Sequence, residues 1–349
     1  MGSPASPTPG GARNWLKDVL PLDTPYMVQI FPCYACNFRC KFCIFALERE
    51  QRGDLSECTF MDLPLFRKCI DEIKCFPRKL KMLRFAAIGE PLLHRDIAEM
   101  VAYAKQAEIA QSVDIVTNGS LLTQELSDAL IDAGLDRLRI SVEGLSAADY
   151  IANANAQIDF EQFVAQIRYF YEHKRHTHIY IKIIDYMVQE ERQRKRFFEL
   201  FEPISDSIAI EHLTPTIQEI DYDTLSHGMA ADKPQNGETL LRAEVCPQGF
   251  YMMQINPDGR VVPCCSMKYP AVLGDVWQDS IPGIWNGEAF QRFRRAMLEA
   301  RASAGVVCRE CSLYRYDLHP EDVLDNAKER LKSLYRERDG ENIYAEKSN

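Results

Sequence analysis

No stretch of this sequence stays apolar for the about 18 residues that a bilayer-spanning helix needs. The start, MGSPASPTPGGARNW, has no apolar centre and so lacks the mark of a secretory signal. Its Pro/Gly/Ser composition reads as a floppy lead-in over residues 1–24. The opening meets the loose acylation pattern, Gly2 with Ser6, but so short a motif matches by chance, and lipidation is not expected. Basic charge is scarce: 41 Lys and Arg stand against 51 Asp and Glu, a net charge of −10. Phosphate binding leaves a basic footprint, so nucleic acid is not an expected partner. No internal repeat is present. A cytoplasmic protein with no membrane contact is the expectation.

Cysteine, by contrast, is plentiful. There are 12 in 349 residues, without an export signal to place them in an oxidising compartment. Metal binding is then the leading use for any that cluster. The 46% of hydrophobic residues suffices for a sizeable core, and the length suits one large domain or two ordinary ones.

The middle of the chain alternates two periodicities. Apolar, β-branched runs at 26–31, 80–88, 112–117, 137–142, 179–187 and 207–213 predict strands. Between them, 61–75, 95–108, 123–134, 158–173 and 189–201 have helical spacing. In 121–135, Thr123 caps the helix, Leu126, Ala129, Leu130 and Ala133 share a face, and Gly134 ends it. Six strands alternating with helices predict an α/β fold, a partial (β/α)6 TIM-like barrel over 25–213 with its site at the C-terminal strand ends. Residues 214–245, polar and punctuated by Pro215, Gly228, Pro234 and Gly237, read as a linker. A small module over 246–315 follows. It opens with a β-hairpin in YMMQINPDGRVVP, turning at Asn256-Pro257-Asp258-Gly259. Helices are expected near 286–301 and 320–337. Residues 316–349 form the C-terminal helix and a frayed polar tail.

The first cysteine group lies in CYACNFRCKFC (33–43), directly after the first strand. Cys36, Cys40 and Cys43 are spaced C-x3-C-x2-C. Three thiolates on one short loop suit three corners of a [4Fe–4S] cube and leave the fourth iron open. A closed zinc site using Cys33 as well is the alternative.

The segment CNFRCKFC, with Phe42 before its last cysteine, resembles the signature of the radical SAM superfamily. Further matches follow in strand order. Gly89-Glu90-Pro91 is similar to the family's Gly-Gly-Glu element, which holds the amino group of S-adenosylmethionine (SAM), although Ile88 replaces the first glycine. Asn118 falls in VTNGS at the end of the third strand. Ser141 and Glu143, at the end of the fourth, occupy positions that family members use near the ribose. Lys182, on the fifth, is a candidate partner for the carboxylate. Alone, each of these matches is an ordinary turn or a satisfied core hydroxyl; their joint placement at strand ends carries the resemblance.

The second group comprises Cys246 and Cys264, then Cys308 and Cys311. Four thiolates close all corners of a cube, and they also suit a zinc ribbon. Behind a radical SAM barrel the pattern resembles a SPASM/twitch module. The resemblance covers roughly residues 25–315. Since no cysteine follows Cys311, one auxiliary cluster is expected, as in twitch enzymes that oxidise sugars and cyclitols. Cys265 reads as a small buried residue, a spare ligand or a hydrogen-atom donor. Cys33, Cys58, Cys69 and Cys75 read as core or surface thiols.

The resemblance implies a chemistry. A reduced SAM-binding cluster cleaves SAM to a 5′-deoxyadenosyl radical, which takes hydrogen from a substrate carbon. An auxiliary [4Fe–4S] cluster accepting the remaining electron gives oxidation of a sugar or cyclitol-like molecule. A hydrogen atom returned from a thiol gives epimerisation. Modification of a ribosomal peptide or protein is a third reading, made less expected by the short stretch before the first strand, which leaves no room for a leader-binding domain. A flavodoxin or ferredoxin is the expected electron donor.

Overall fold

A computed structural model of the chain describes residues 13–335 apart from 56, 58, 87, 229–232, 236–239 and 267. Cys58 and the tail from 336 lie outside the described residues. Six parallel strands are β1 (Met27–Ile30), β2 (Met82–Phe85), β3 (Val113–Thr117), β4 (Arg137–Val142), β5 (His178–Ile184) and β6 (Ser207–Glu211), each pairing with the next. Helices Leu63–Ile73, Ile97–Gln106, Gln124–Asp132, Phe160–His173 and Glu191–Phe201 make the crossovers, and Ala147–Ala154 adds a second helix after β4.

Strand alternation sorts the side chains. Ile30, Phe85, Ile115, Ile140 and Ile181 are wholly buried against the helices. Each such burial stabilises by roughly 1.5–3 kcal/mol. The alternate positions, including Gln29, Arg84, Asp114 and Arg139, face the barrel lumen. The six-stranded part-barrel is as expected, with shorter strands. β2 stops at Phe85, before the turn whose Gly89 has φ +88°. β5 gives way after Ile184 to a 3-10 turn, Asp185–Met187.

The helices follow their signals, with two corrections. Thr123 Oγ1 accepts from Leu126 N at 3.1 Å, as expected of a cap. Leu130 is buried and Leu126 and Ala133 pack against the core, as expected, but Ser127 and Ile131 are buried as well and Ala129 is exposed. The helix expected over 320–337 is broken. Two 3-10 turns, Pro320–Asp322 and Asp325–Ala327, precede Lys328–Leu334. Side chains there serve elsewhere: Asp325 accepts from the amides of Glu244 (2.8 Å) and Val245 (3.0 Å), and Asp322 pairs with Arg13.

The hairpin is β7 (Met252–Ile255) and β8 (Arg260–Val262), closed by a turn in which Gly259 N donates to Asn256 O at 3.0 Å. Gly259 has φ +91°, and the Trp277 ring would stand 2.8 Å from any Cβ there, so only glycine fits. One feature was not foreseen. β7 pairs in parallel with β1, Met27 against Met252 through Ile30 against Ile255. The hairpin and the short β9 (Gly274–Asp275) therefore extend the barrel sheet, in the order β6-β5-β4-β3-β2-β1-β7-β8-β9. Beneath them, Glu288–Glu299 is the helix expected near 286–301, and a short helix not expected, Ile281–Asn286, precedes it. Trp285 is wholly buried and donates to Leu22 O at 3.0 Å. Buried Arg294 donates to Gly249 O and Trp285 O, each at 3.0 Å.

Within 214–245, expected as a linker, some described residues make tertiary contacts. Ile217 is buried, and Tyr222, on the short helix Tyr222–Leu225, donates to the carbonyl of Phe42 at 3.0 Å.

Candidate functional site

The loop after β1 is held from three sides. Arg39 N and Lys41 N donate to Ala154 O (2.8 Å) and Asn153 O (2.9 Å), at the end of the helix Ala147–Ala154. Asn37, between Cys36 and Cys40, accepts from Asn118 Nδ2 at 2.9 Å and donates to Ser120 Oγ at 2.8 Å. Below, Glu90 N donates to Ala35 O at 2.7 Å. Gly89 lies so close that a Cβ there would stand 2.8 Å from Ala35 O and nearer still to Cys33 O.

Glu90 itself points inward. Its carboxylate accepts from Thr117 Oγ1 (2.6 Å), Asn118 N (2.7 Å) and Leu92 N (2.9 Å). What Gly89-Glu90 offers the cysteine loop is backbone, and Pro91 is buried behind it at the start of the 3-10 turn Pro91–Leu93. Phe42 stands edge-on to Tyr186, ring centres 6.4 Å apart. Glu143 is buried beside Cys40, and its Oε2 has no hydrogen-bond partner. Burial raises its carboxyl to about 7 against the opposing pull of Lys182 and Cys40. The β3, β4 and β2 strand ends thus bring Gly89, Glu90, Asn118 and Glu143 to one rim with the three cysteines. Ser141 lies half-buried on β4, in register with Lys182. Lys182 is committed to Glu211, its Nζ 2.5 Å from Oε2.

The donor set fits a metal cluster. Burial pushes the thiols of Cys36 and Cys43 up to about 12 and about 11, and raises that of Cys40 well above the ordinary thiol range. Bare thiolates there are disfavoured, and positive iron beside them reverses the balance. Among the described residues no three His, Cys, Asp or Glu side chains converge as a single ion needs. A cube spreads its ligands around a larger body than a single ion does.

The second group converges too. Cys246, Cys264, Cys308 and Cys311 line one cavity, walled by Gly249, Phe293, Met297 and Tyr314. Burial raises Cys246 to about 12 and Cys308 to about 11, and lifts Cys264 well above the ordinary thiol range. Cys246 precedes β7 and Cys264 follows β8. Because β7 runs with β1 and β8 against it, both lie toward the end of the barrel opposite Cys36, Cys40 and Cys43. Cys265 is not among the residues lining that cavity. Cys33 and Cys69 are buried and Cys75 is exposed, as expected of core and surface thiols.

Asn37, Thr117, Ser120, Asn153 and Tyr222 were missed by sequence reasoning. Asn37 sits inside the cysteine motif, and Ser120 follows the Asn-Gly turn; their position was the available signal. The others act through contacts across 27 to 180 residues of chain, which no local pattern reveals.

Comparison with known proteins agrees with this geometry. Residues 30–195 match the family model of the radical SAM superfamily, and 246–312 match that of SPASM, an iron–sulfur cluster-binding domain. Such domains bind SAM and [4Fe–4S] clusters. The chain is 25% identical over 318 residues to the tungsten-containing aldehyde ferredoxin oxidoreductase cofactor-modifying protein of Pyrococcus furiosus, covering 80% of this chain and 85% of that one. Its fold is similar to BtrN, solved with AdoMet and 2-DOIA (TM-score 0.53, 16% identity, 84% of this chain and 97% of that one). It is also similar to Streptococcus suis SuiB, solved with the precursor peptide SuiA (TM-score 0.60, 15% identity, 80% and 69%). With its three-cysteine loop on the first strand of a parallel part-barrel and its second cysteine module behind, the chain belongs to the radical SAM superfamily and carries a SPASM-type domain.

Proposed function

We propose that this enzyme oxidises a polar small molecule of the sugar or cyclitol kind, with its auxiliary [4Fe–4S] cluster as electron acceptor. The carrying observation is that Cys246, Cys264, Cys308 and Cys311 line one cavity; four thiolates would fill every corner of a cube and leave none for substrate. When bound, the cofactors supply reductive cleavage of SAM, hydrogen abstraction from the substrate and uptake of the remaining electron. The chain supplies position and dryness. Asn37, Asn118 and the Gly89-Glu90 backbone fix the cysteine loop; Phe42 and Tyr186 wall the rim; Ser141 and Glu143 would serve the nucleotide's sugar; Lys182 stays paired with Glu211.

Anaerobically purified protein should hold about eight iron, four per cube, and release 5′-deoxyadenosine with dithionite and SAM. Cys308→Ala should still cleave SAM but form little product. Normal product formation by that variant would sink the acceptor role.

A second reading, modification of a peptide or protein, has one observation in its favour. A cleft of about 390 Å³ opens to solvent between Ile44 and Cys311, lined by residues 215–223. Incubation with candidate peptides, read by mass change, separates the two. Epimerisation has no such support and would show as solvent deuterium in the product carbon.

A further inference from the structure

The barrel lumen holds a polar layer that the chemistry above does not use. Gln254, Gln29, Arg84, Asp114, Arg137 and His178 stand at one level on six neighbouring strands. Two residues further toward the cysteine loop, Arg139 stands beside Tyr180. Two acids of this layer, Asp114 and Glu211, are committed. Asp114, wholly buried, lies 3.4 Å from Arg84 and 3.9 Å from Arg137. Glu211 takes Lys182 and the Tyr180 hydroxyl, the latter at 2.6 Å. Arg139 has no carboxylate within salt-bridge reach among the described residues; its guanidinium carbon stands 5.0 Å from the Tyr180 ring centre.

Arg84 is incompletely served as well. Its Nε is buried with no acceptor. Burial, then the like charge of Arg139, push its guanidinium below the ordinary range against the pull of Asp114 and the more distant Asp317. Gln254 Oε1 and Asn256 Nδ2, on the adjoining wall, also lack partners. Buried polar atoms left open are costly and usually mark a missing partner. Guanidinium forks match the planar or tetrahedral oxygens of carboxylate and phosphate.

We infer that Arg139 and Arg84 form a recess for an anionic group of the substrate, a carboxylate or a phosphate, held in the lumen between the two cysteine centres. This rests on the reading that the substrate enters the barrel, and it narrows the substrate to an acid or a phosphate ester. Lys182 is excluded from the recess by its bond to Glu211.

Calorimetric titration of the anaerobically loaded, SAM-bound protein with inorganic phosphate, and separately with malonate, tests it at constant ionic strength. Wild type should bind at least one of the two saturably, one per chain. Arg139→Gln should weaken that binding about tenfold or more, a loss of about 1.4 kcal/mol per factor of ten. Arg139→Lys should fall between. Tighter phosphate binding identifies a phosphate ester, tighter malonate binding a carboxylic acid. No saturable binding by wild type, or unchanged affinity in Arg139→Gln, overturns the proposal. So does a parallel loss of SAM affinity, which would assign the arginine to the SAM carboxylate. Arg84→Gln leaves Asp114 with Arg137 as its one cation and risks misfolding, so Arg139→Gln is decisive. Anion binding without SAM cleavage would defeat the proposed oxidation and leave the recess standing.

Discussion

At Gly89 the backbone turns with φ +88° against the carbonyls of Cys33 and Ala35. Alanine there meets both a disfavoured conformation and a backbone clash. Gly89→Ala should cost about 2 kcal/mol or more, read as a lower denaturation midpoint, and should lower iron content by displacing the cysteine loop. The cysteines give a sharper test. Alanine at Cys36, Cys40 or Cys43 should abolish 5′-deoxyadenosine release and leave about four iron of the about eight. Their grouping was legible because the three lie within eight positions of one another. Glu90 was less legible. Its sequence position marks the turn, but only the fold shows that its carboxylate faces Thr117 and Asn118, leaving the backbone toward the cysteines.

At the scale of elements, the six strands and their helices could be read from alternating periodicities, and their caps from single residues. Removing the Thr123 hydroxyl (Thr123→Ala) should cost about 1 kcal/mol, measured by chemical denaturation. Pairings between elements were not legible. Lys182 and Glu211 sit on β5 and β6, and nothing local announces that they meet. Burial pushes the Glu211 carboxyl up, but the Lys182 charge and the hydrogen bonds from Lys182 and Tyr180 outweigh it and hold it below the usual range. A depressed carboxyl stabilises the fold above its unfolded pKa and loses that contribution as pH falls through its folded value. Glu211→Gln should therefore be less stable than wild type by about 3 kcal/mol near neutrality. The gap should close on acidification below the ordinary carboxylate range, as thermal melts across pH will show. A gap that stayed constant down to strongly acid pH would refute the assignment.

For the whole molecule, the consequential feature is the one that hydrophobic patterning hid. The sequence reads as a barrel, a linker and a separate module, yet β7 lies on the open edge of β1. Parallel pairing over some 225 residues leaves no mark in either segment, since each alternates as any half-buried strand does. Cutting the chain after residue 245 should expose that edge. The product is expected to aggregate on size-exclusion chromatography, whereas the full chain with Cys308→Ala should elute as wild type does. A soluble, monomeric fragment would show that the barrel stands without its neighbour.

That arrangement also sets an order of events during synthesis. The cysteine loop leaves the ribosome with β1, while the strand that will flank it emerges only some 225 residues later. Contacts so distant in sequence form late. The amino-terminal metal centre thus has an interval, before the barrel's seam is sealed, in which assembly factors can reach it from the side.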